Sequence, residues 1–491
     1  MRILAFDHCF SQDLDALFGQ SPEYDVRTLP VLPLVAMAEE TFPREIVDDF
    51  WAYQKPEHEP WRALWQRRVN ALMSRVYAEF AFEVFLLPAD IYYYIRAVIE
   101  WVQKRGIPCV VVHKETTITE AELDRLPAAE AVRRNFPFMC DRMTLCSERH
   151  LEFWLKTGAD PARLVLTGQP RFDVYASAAA GGAPIVAGNA NKRPAKPTIL
   201  YLTYPTHAYT LSGYGFRQDA GSPFEAGDAA LATWMELRNQ TEEGLADLVR
   251  SGAYRLVIKP HPQQLIDEWQ HLVASVDERL RDDIVIEPGA TDVRHLILGA
   301  DIVVGFQTTA LYEAVAARKQ VIYTFWGPEV ERTKDYLIPY HEYPDTVLHT
   351  ANSPAHMKEL VRTFIGQPVD EDAWRVRAKI CETHLGPLDG QSSQRVRQVI
   401  ADVVRERQSD RLRASPPLGA ANVVLRAADR VELAVWKILL MTASLTQRQR
   451  FIWRFDRMIT ARARSQVRSL ESARELFESV GRRFNPVHAV Q

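Results

Sequence analysis

Two spacings alternate along most of this chain. Short runs of β-branched and aliphatic residues give way to longer stretches whose apolar positions recur every three or four residues. In the first half the short runs fall at 2–6, 82–87, 107–112, 143–146 and 164–167, and the helical stretches at 61–79, 91–105 and 148–157. Gly158 supplies a helix stop after the last of these. Residues 30–60 carry Pro30, Pro33, Pro43, Pro56 and Pro60 and read as an irregular, lid-like excursion. A second series begins at 198, with strands at 198–203, 255–259, 284–287, 302–304 and 321–325, and helices at 231–251, 265–276, 293–299 and 309–318 between them. Strand and helix in strict alternation predict parallel α/β architecture, here twice over.

Between the two series the pattern vanishes. The segment ASAAAGGAPIVAGNANKRPAKP, 176–197, has small residues and proline but no large apolar side chain except Ile185 and Val186, and reads as a linker. The expected division is 1–175 for a first α/β domain, 176–197 for the linker, 198–385 for a second α/β domain, 386–408 for a returning helix and 409–491 for a helical tail. Two doubly wound domains facing each other predict a cleft, with ligands outside the carboxyl ends of the strands. In the tail, Val424, Ala428, Val431, Val435, Ile438, Thr442 and Leu445 step by four and three, the spacing of a packing seam.

Composition narrows the class. Of 491 residues, 47% are hydrophobic and 25% charged, which excludes a disordered, collagen-like or disulfide-stapled chain. The five cysteines form no CxxC pair, so no cysteine zinc site is expected and a reducing cytoplasm is the simpler setting. MRILAFDHCF reads as a first strand and not as a signal peptide, and no apolar run approaches the roughly 20 residues needed to span a bilayer. The net charge of −4 hides a division: residues 405–491 hold 17 Lys+Arg against 8 Asp+Glu, and the rest of the chain is acidic. Such a tail suits an anionic membrane surface along 420–480, while its seam suits a homo-oligomer contact. No nucleic-acid partner is expected.

Chemistry concentrates in two segments. RLVIKPHPQQ, 255–264, ends a buried strand in Lys259-Pro260-His261-Pro262, holding His261 between two prolines at a carboxyl edge where a ring N–H can meet a phosphate. ADIVVGFQTTALYEAVAARKQVIYTFWG, 300–327, runs a strand into Gly305, and Thr308 and Thr309 then open a helix whose N-terminus suits an anion. Glu313, one turn beyond Thr309 on the same face, is placed to accept ribose hydroxyls, or is simply a solvated helix residue. Asp13-Leu14-Asp15 lies in an expected early helix and not at a strand end, so it reads as a chance DxD triplet and no metal is expected. The absence of a Gly-x-Gly-x-x-Gly or Walker loop disfavours dinucleotide oxidoreductases and P-loop NTPases.

The run Lys-Pro-His-Pro, Ala300-Asp301, Thr308-Thr309, Glu313-Ala314 and Gln320-Val321-Ile322 resembles the donor domain of GT-B glycosyltransferases. Within them it is similar to the capsule, lipopolysaccharide and teichoic-acid group, which includes the CDP-glycerol glycerophosphotransferases and the His-Pro-motif CMP-sugar transferases. CSERHLEFWLKTGADPARLVLTGQPRFD (146–173), TILYLTYPTH (198–207) and LDGQSSQRVRQVI (388–400) fit the same pattern. The likeness covers about 140–400; the first 140 residues match by architecture alone.

The resemblance implies an inverting, metal-independent transfer from a nucleotide-activated sugar or polyol-phosphate donor, with no separate cofactor, to a glycan or glycolipid acceptor. Lys259, His261, Thr308, Thr309 and Thr206 would hold the donor's phosphates, and Glu313 its ribose. The base would come from His113 or Glu115, in VVVHKETT, where the family's Gly is replaced by Lys114. The enzyme would be cytoplasmic, peripheral at the inner face of the membrane. Two other readings share the fold: a UDP-N-acetylglucosamine 2-epimerase-like isomerase, and an inactive scaffold of a polysaccharide assembly complex. Chain length, the basic tail and the poor match of the first domain weigh against the isomerase.

Overall fold

A computed structural model describes residues 1–7, 10–19, 21–48, 50–114, 126–179, 196–204, 234–261, 269–287, 291–334 and 337–413. It contains two six-stranded sheets. The first is built from β1 (Arg2–Asp7), β2 (Asp25–Pro30), β3 (Val84–Leu87), β4 (Cys109–Val112), β5 (Arg142–Leu145) and β6 (Leu164–Leu166), in the order β2-β1-β3-β4-β5-β6. The second comprises β7 (Thr198–Leu202), β8 (Arg255–Lys259), β9 (Ile284–Ile286), β10 (Ile302–Gly305), β11 (Val321–Thr324) and β12 (His349–Ala351), in the order β12-β11-β10-β7-β8-β9. All neighbours pair in parallel. This is the two-domain, doubly wound, GT-B-like α/β fold.

The unbroken hydrophobicity of the central strands is explained by helices on both faces of each sheet. Leu4, Phe6, Phe85, Leu87 and Val111 point to one core of the first sheet, and Ile3, Ala5, Val84, Leu86, Val110 and Val112 to the other. In the second sheet Leu200, Leu202 and Val303 face one side, and Ile199, Tyr201, Ile302 and Val304 the opposite one. Strand order reverses between β1 and β3 in the first sheet and between β7 and β10 in the second. Those two points are where open parallel sheets part their loops and leave room for a ligand.

The chain passes between the two bodies twice. Phe172 and Tyr175, ahead of the expected linker, already belong to the second core. They sit at and just before the helix Asp173–Ala179, while linker residues 180–195 lie outside the described residues. The returning helix, Ser392–Arg413, buries Val396, Ile400 and Val403 in the first body, against the core containing Leu14, Leu17 and Val84. Arg395 and Arg397 add hydrogen bonds to the carbonyls of Thr167 (2.6 Å) and Leu17 (2.9 Å). Asp173 caps this helix, accepting from the backbone N–H groups of Ser392 (2.9 Å) and Ser393 (2.7 Å).

The expectation for residues 30–60 is overturned. They fold as helices Val31–Thr41 and Arg44–Asp48 followed by two 3₁₀ turns, Phe50–Gln54 and Pro56–His58, and bury Leu34, Met37, Phe42, Ile46 and Tyr53 around Trp65. The prolines do not break these helices because each stands just before one or in its first turn, where the N–H has no intrahelical acceptor. The short edge strands β2 and β12, absent from the sequence reading, complete the two sheets. Among the described residues no helix is long and apolar enough to cross a membrane. The expected basic helices of the tail fall on 414–491, outside the described residues.

Candidate functional site

Strand register assembles the site. Gly305 pairs with Leu202, and Leu202 with Lys259, so the carboxyl ends of β10, β7 and β8 lie side by side at the point of strand reversal. The next residues on each strand therefore meet. The backbone N–H of His261 donates to Thr203 Oγ1 at 3.0 Å, which ties the His-Pro turn to the end of β7. Gly305 is needed here, since a Cβ would come within 3.1 Å of the Leu311 side chain and 3.2 Å of the Leu202 carbonyl.

His261 is half-buried, and its imidazole is pushed down to about 4 by burial, reinforced by the neighbouring Lys259. At neutral pH the ring is uncharged, with one N–H to donate and one nitrogen to accept. Lys259 is buried, its ammonium 3.0 Å from the Pro260 carbonyl. Burial lowers its pKa, while Glu287 and Asp292 act in the opposite direction. It stiffens the turn and adds positive potential beneath it.

After β10 the turn is pinned from behind. Tyr340 donates to the Thr308 carbonyl (2.9 Å), and Gln307 accepts from the Ile338 N–H (2.8 Å) while donating to Tyr323 Oη (2.9 Å). The helix Ala310–Ala316 follows. Thr308 and Thr309 differ in role: Thr308 Oγ1 accepts from the Ala310 N–H at 3.4 Å, whereas Thr309 is already helical and its hydroxyl makes no cap bond. Glu313 is 4% exposed, which removes the solvated reading. Its Oε2 accepts a 2.7 Å hydrogen bond from Tyr175. Burial pushes its carboxyl up, and Arg171, the Tyr175 phenol and Arg294 pull it back.

Around Glu313 lies a polar seam that the sequence reading missed. Asp13, fully buried, accepts from the Arg171 backbone (3.3 Å) and guanidinium (3.4 Å) and from Gln169 (3.4 Å). Arg294 is clamped by Asp292, with three contacts of 2.6–3.0 Å, and reaches Asp15 across the bodies at 3.5 Å. Burial opposes the charge on Arg294, and Asp292 more than offsets this, so its pKa is raised. The Asp13-Leu14-Asp15 triplet is thus not idle: both carboxylates engage arginines. The triplet itself was the available signal, set aside because it lies on a helix, Ser11–Phe18.

On the first body the picture differs. His113, after β4, is 3% exposed, with its ring edge-on to Trp154 (centroids 5.8 Å) and His150 (5.4 Å). That packing leaves little room for an acceptor hydroxyl at the ring. The Lys114 carbonyl accepts from Gln169 (2.9 Å) and Arg171 (3.3 Å), tying the end of β4 to the crossing segment. Glu115 and Thr206 lie outside the described residues. The structure therefore brings Lys259, His261, Thr308, Thr309 and Glu313 to one sheet edge and leaves His113 in the other body.

No family model matches the chain, and no curated protein matches it. Solved structures do show likenesses, all at low identity. A UDP-N-acetylglucosamine 2-epimerase homologue from Listeria monocytogenes aligns over 82% of this chain and 97% of its own, with 14% identity and a TM-score of 0.46. The UDP-GlcNAc 2-epimerase from Neisseria meningitidis bound to UDP-GlcNAc aligns over 82% and 100%, with 11% identity and a TM-score of 0.44. The wall teichoic acid polymerase TagF aligns over 66% of this chain and 74% of its own, with 14% identity and a TM-score of 0.40.

Proposed function

We propose that the chain is a transferase that takes a nucleotide-activated sugar or polyol-phosphate donor and passes its group to a glycan or glycolipid acceptor in surface-polysaccharide assembly. The observation that carries this reading is the register Gly305–Leu202–Lys259, which sets His261, Thr203 and the Thr308–Glu313 turn on one edge at the strand reversal of the second sheet. A neutral His261 donates its ring N–H to the leaving diphosphate, and Thr309 adds a hydroxyl. Fixed donors of this kind stabilise charge as it develops, with no reorganisation at the moment of transfer. Glu313 takes the ribose hydroxyls. No metal or further cofactor has a part in this reading. The acceptor hydroxyl is deprotonated from the first body, where Glu115 is the better placed of the two candidate bases, because the His113 ring is enclosed. The basic residues between 420 and 480 give the enzyme a hold on an anionic inner-membrane surface or on a second subunit.

The test is turnover of CMP-, CDP-, UDP- and GDP-activated donors, each with and without glycolipid acceptors. The expected result is nucleotide release from one donor class, dependent on acceptor. Absence of binding and release with every donor contradicts the proposal, and conversion of UDP-N-acetylglucosamine without acceptor replaces it with an isomerase.

A further inference from the structure

We infer that Tyr175 is a positioning residue of the donor site: its hydrogen bond to Glu313 Oε2 fixes the carboxylate so that Oε1 meets the donor's ribose, and so sets the preference for ribonucleotides over deoxyribonucleotides. This rests on the proposed donor site and adds to it a residue from outside the Rossmann-like second series.

The geometry of Glu313 is that of a half-satisfied group. It lies one turn beyond Thr309, on the same face of the helix Ala310–Ala316, at the edge where β10 ends. It is almost wholly buried, and a buried carboxylate is stable only where donors meet both oxygens. Oε2 has the phenol at 2.7 Å; Oε1 has no hydrogen-bond partner among the described residues. With Oε2 held, the last torsion of the side chain is set, and the direction of Oε1 with it. Two vicinal hydroxyls are the donors such an oxygen lacks.

Tyr175 is suited to hold it. Its ring is 1% exposed and stacks on Phe172 (centroids 6.2 Å, 29° between planes) in the second core. Burial raises its pKa far above the ordinary value, so the phenol keeps its proton and remains a donor. It stands on the segment where the chain passes between the bodies, four residues from Arg171, whose guanidinium grips Asp13 of the first body. The carboxylate is thereby oriented from the crossing point, so docking of the two bodies and readiness for the ribose are linked.

The experiment is calorimetric titration of the full chain with the nucleoside diphosphate of the accepted base and with its 2′- and 3′-deoxy forms. Wild type is expected to favour the ribonucleotide by about tenfold or more. In Tyr175→Phe that preference falls to about twofold, through loss of ribonucleotide affinity with deoxynucleotide affinity unchanged. Glu313→Gln, which keeps an oxygen for the phenol but removes the charge, loses the same preference, and the double variant is no worse than Glu313→Gln alone. A Tyr175→Phe protein that weakens all ligands equally, or keeps the preference, overturns the inference while leaving the donor site standing. Preference retained in Glu313→Gln overturns it even if Tyr175→Phe proves too unstable to assay. Failure of wild type to bind any of these nucleotides removes the donor-site reading and this inference together.

Discussion

An imidazole at a phosphate site works either as a cation or as a neutral donor, and the surroundings of His261 select the second. Burial and Lys259 hold its pKa at about 4, well below the ordinary 6.5. In an NMR titration the His261 ring resonances are therefore expected to stay unshifted from pH 8 to 5 and to move only near 4; a midpoint near 6.5 contradicts this. The stability consequence has a definite sign. Between pH 6.5 and about 4 the unfolded chain binds a proton at this position that the folded chain refuses, so His261 contributes stability that is lost as pH falls through that window. His349, at about 4, and His384, at about 3, act in the same direction. His261 and the two threonines were legible in the sequence because their signal is local, a proline-flanked turn and a helix start. The residues around them were not. Tyr175 meets Glu313 across 138 positions and Asp13 meets Arg171 across 158, and no local spacing announces a pair that only the docking of two bodies creates.

At the scale of elements, most of both sheets was readable because strands buried on two faces have no polar positions to confuse them. The β8 bounds coincide with the reading, as do those of the helix Val293–Gly299. Errors cluster where the signal is weak or ambiguous. β2 is an edge strand ending in Pro30, β12 is three residues long, and the prolines of 30–60 mark helix starts as naturally as they mark loops. Glycine at the returning crossover is a stricter requirement. Gly386 has φ +80°, and a Cβ there would stand 1.7 Å from the Cys146 carbonyl oxygen, inside the backbone of the first body. Gly252 has a similar φ of +74° with nothing within 4 Å. Gly252→Ala is expected to cost about 1–2 kcal/mol in urea unfolding, the strain of the left-handed conformation alone. Gly386→Ala must displace backbone as well and is expected to cost more than about 3 kcal/mol. Equal losses for the two variants contradict the tight crossover.

At the scale of the whole molecule, the two-body organisation was visible in the loss of pattern at 176–197, but the joint between the bodies was not. Phe172 and Tyr175 anchor the outgoing chain in the second core, Asp173 caps the returning helix, and the Asp15–Arg294 pair bridges the seam beside Glu313. The donor site and the joint are thus neighbours, with Glu313 belonging to both. Binding at the edge of β7, β8 and β10 should therefore register in the backbone there before anywhere else. Hydrogen–deuterium exchange of the full chain, with and without a saturating nucleoside diphosphate, measures this directly. The account predicts slowed exchange at Thr203, at His261 and from Gln307 to Glu313, with a smaller effect around Tyr175. Protection confined to the first sheet, or no protection at the second sheet's carboxyl edge under saturation, contradicts it.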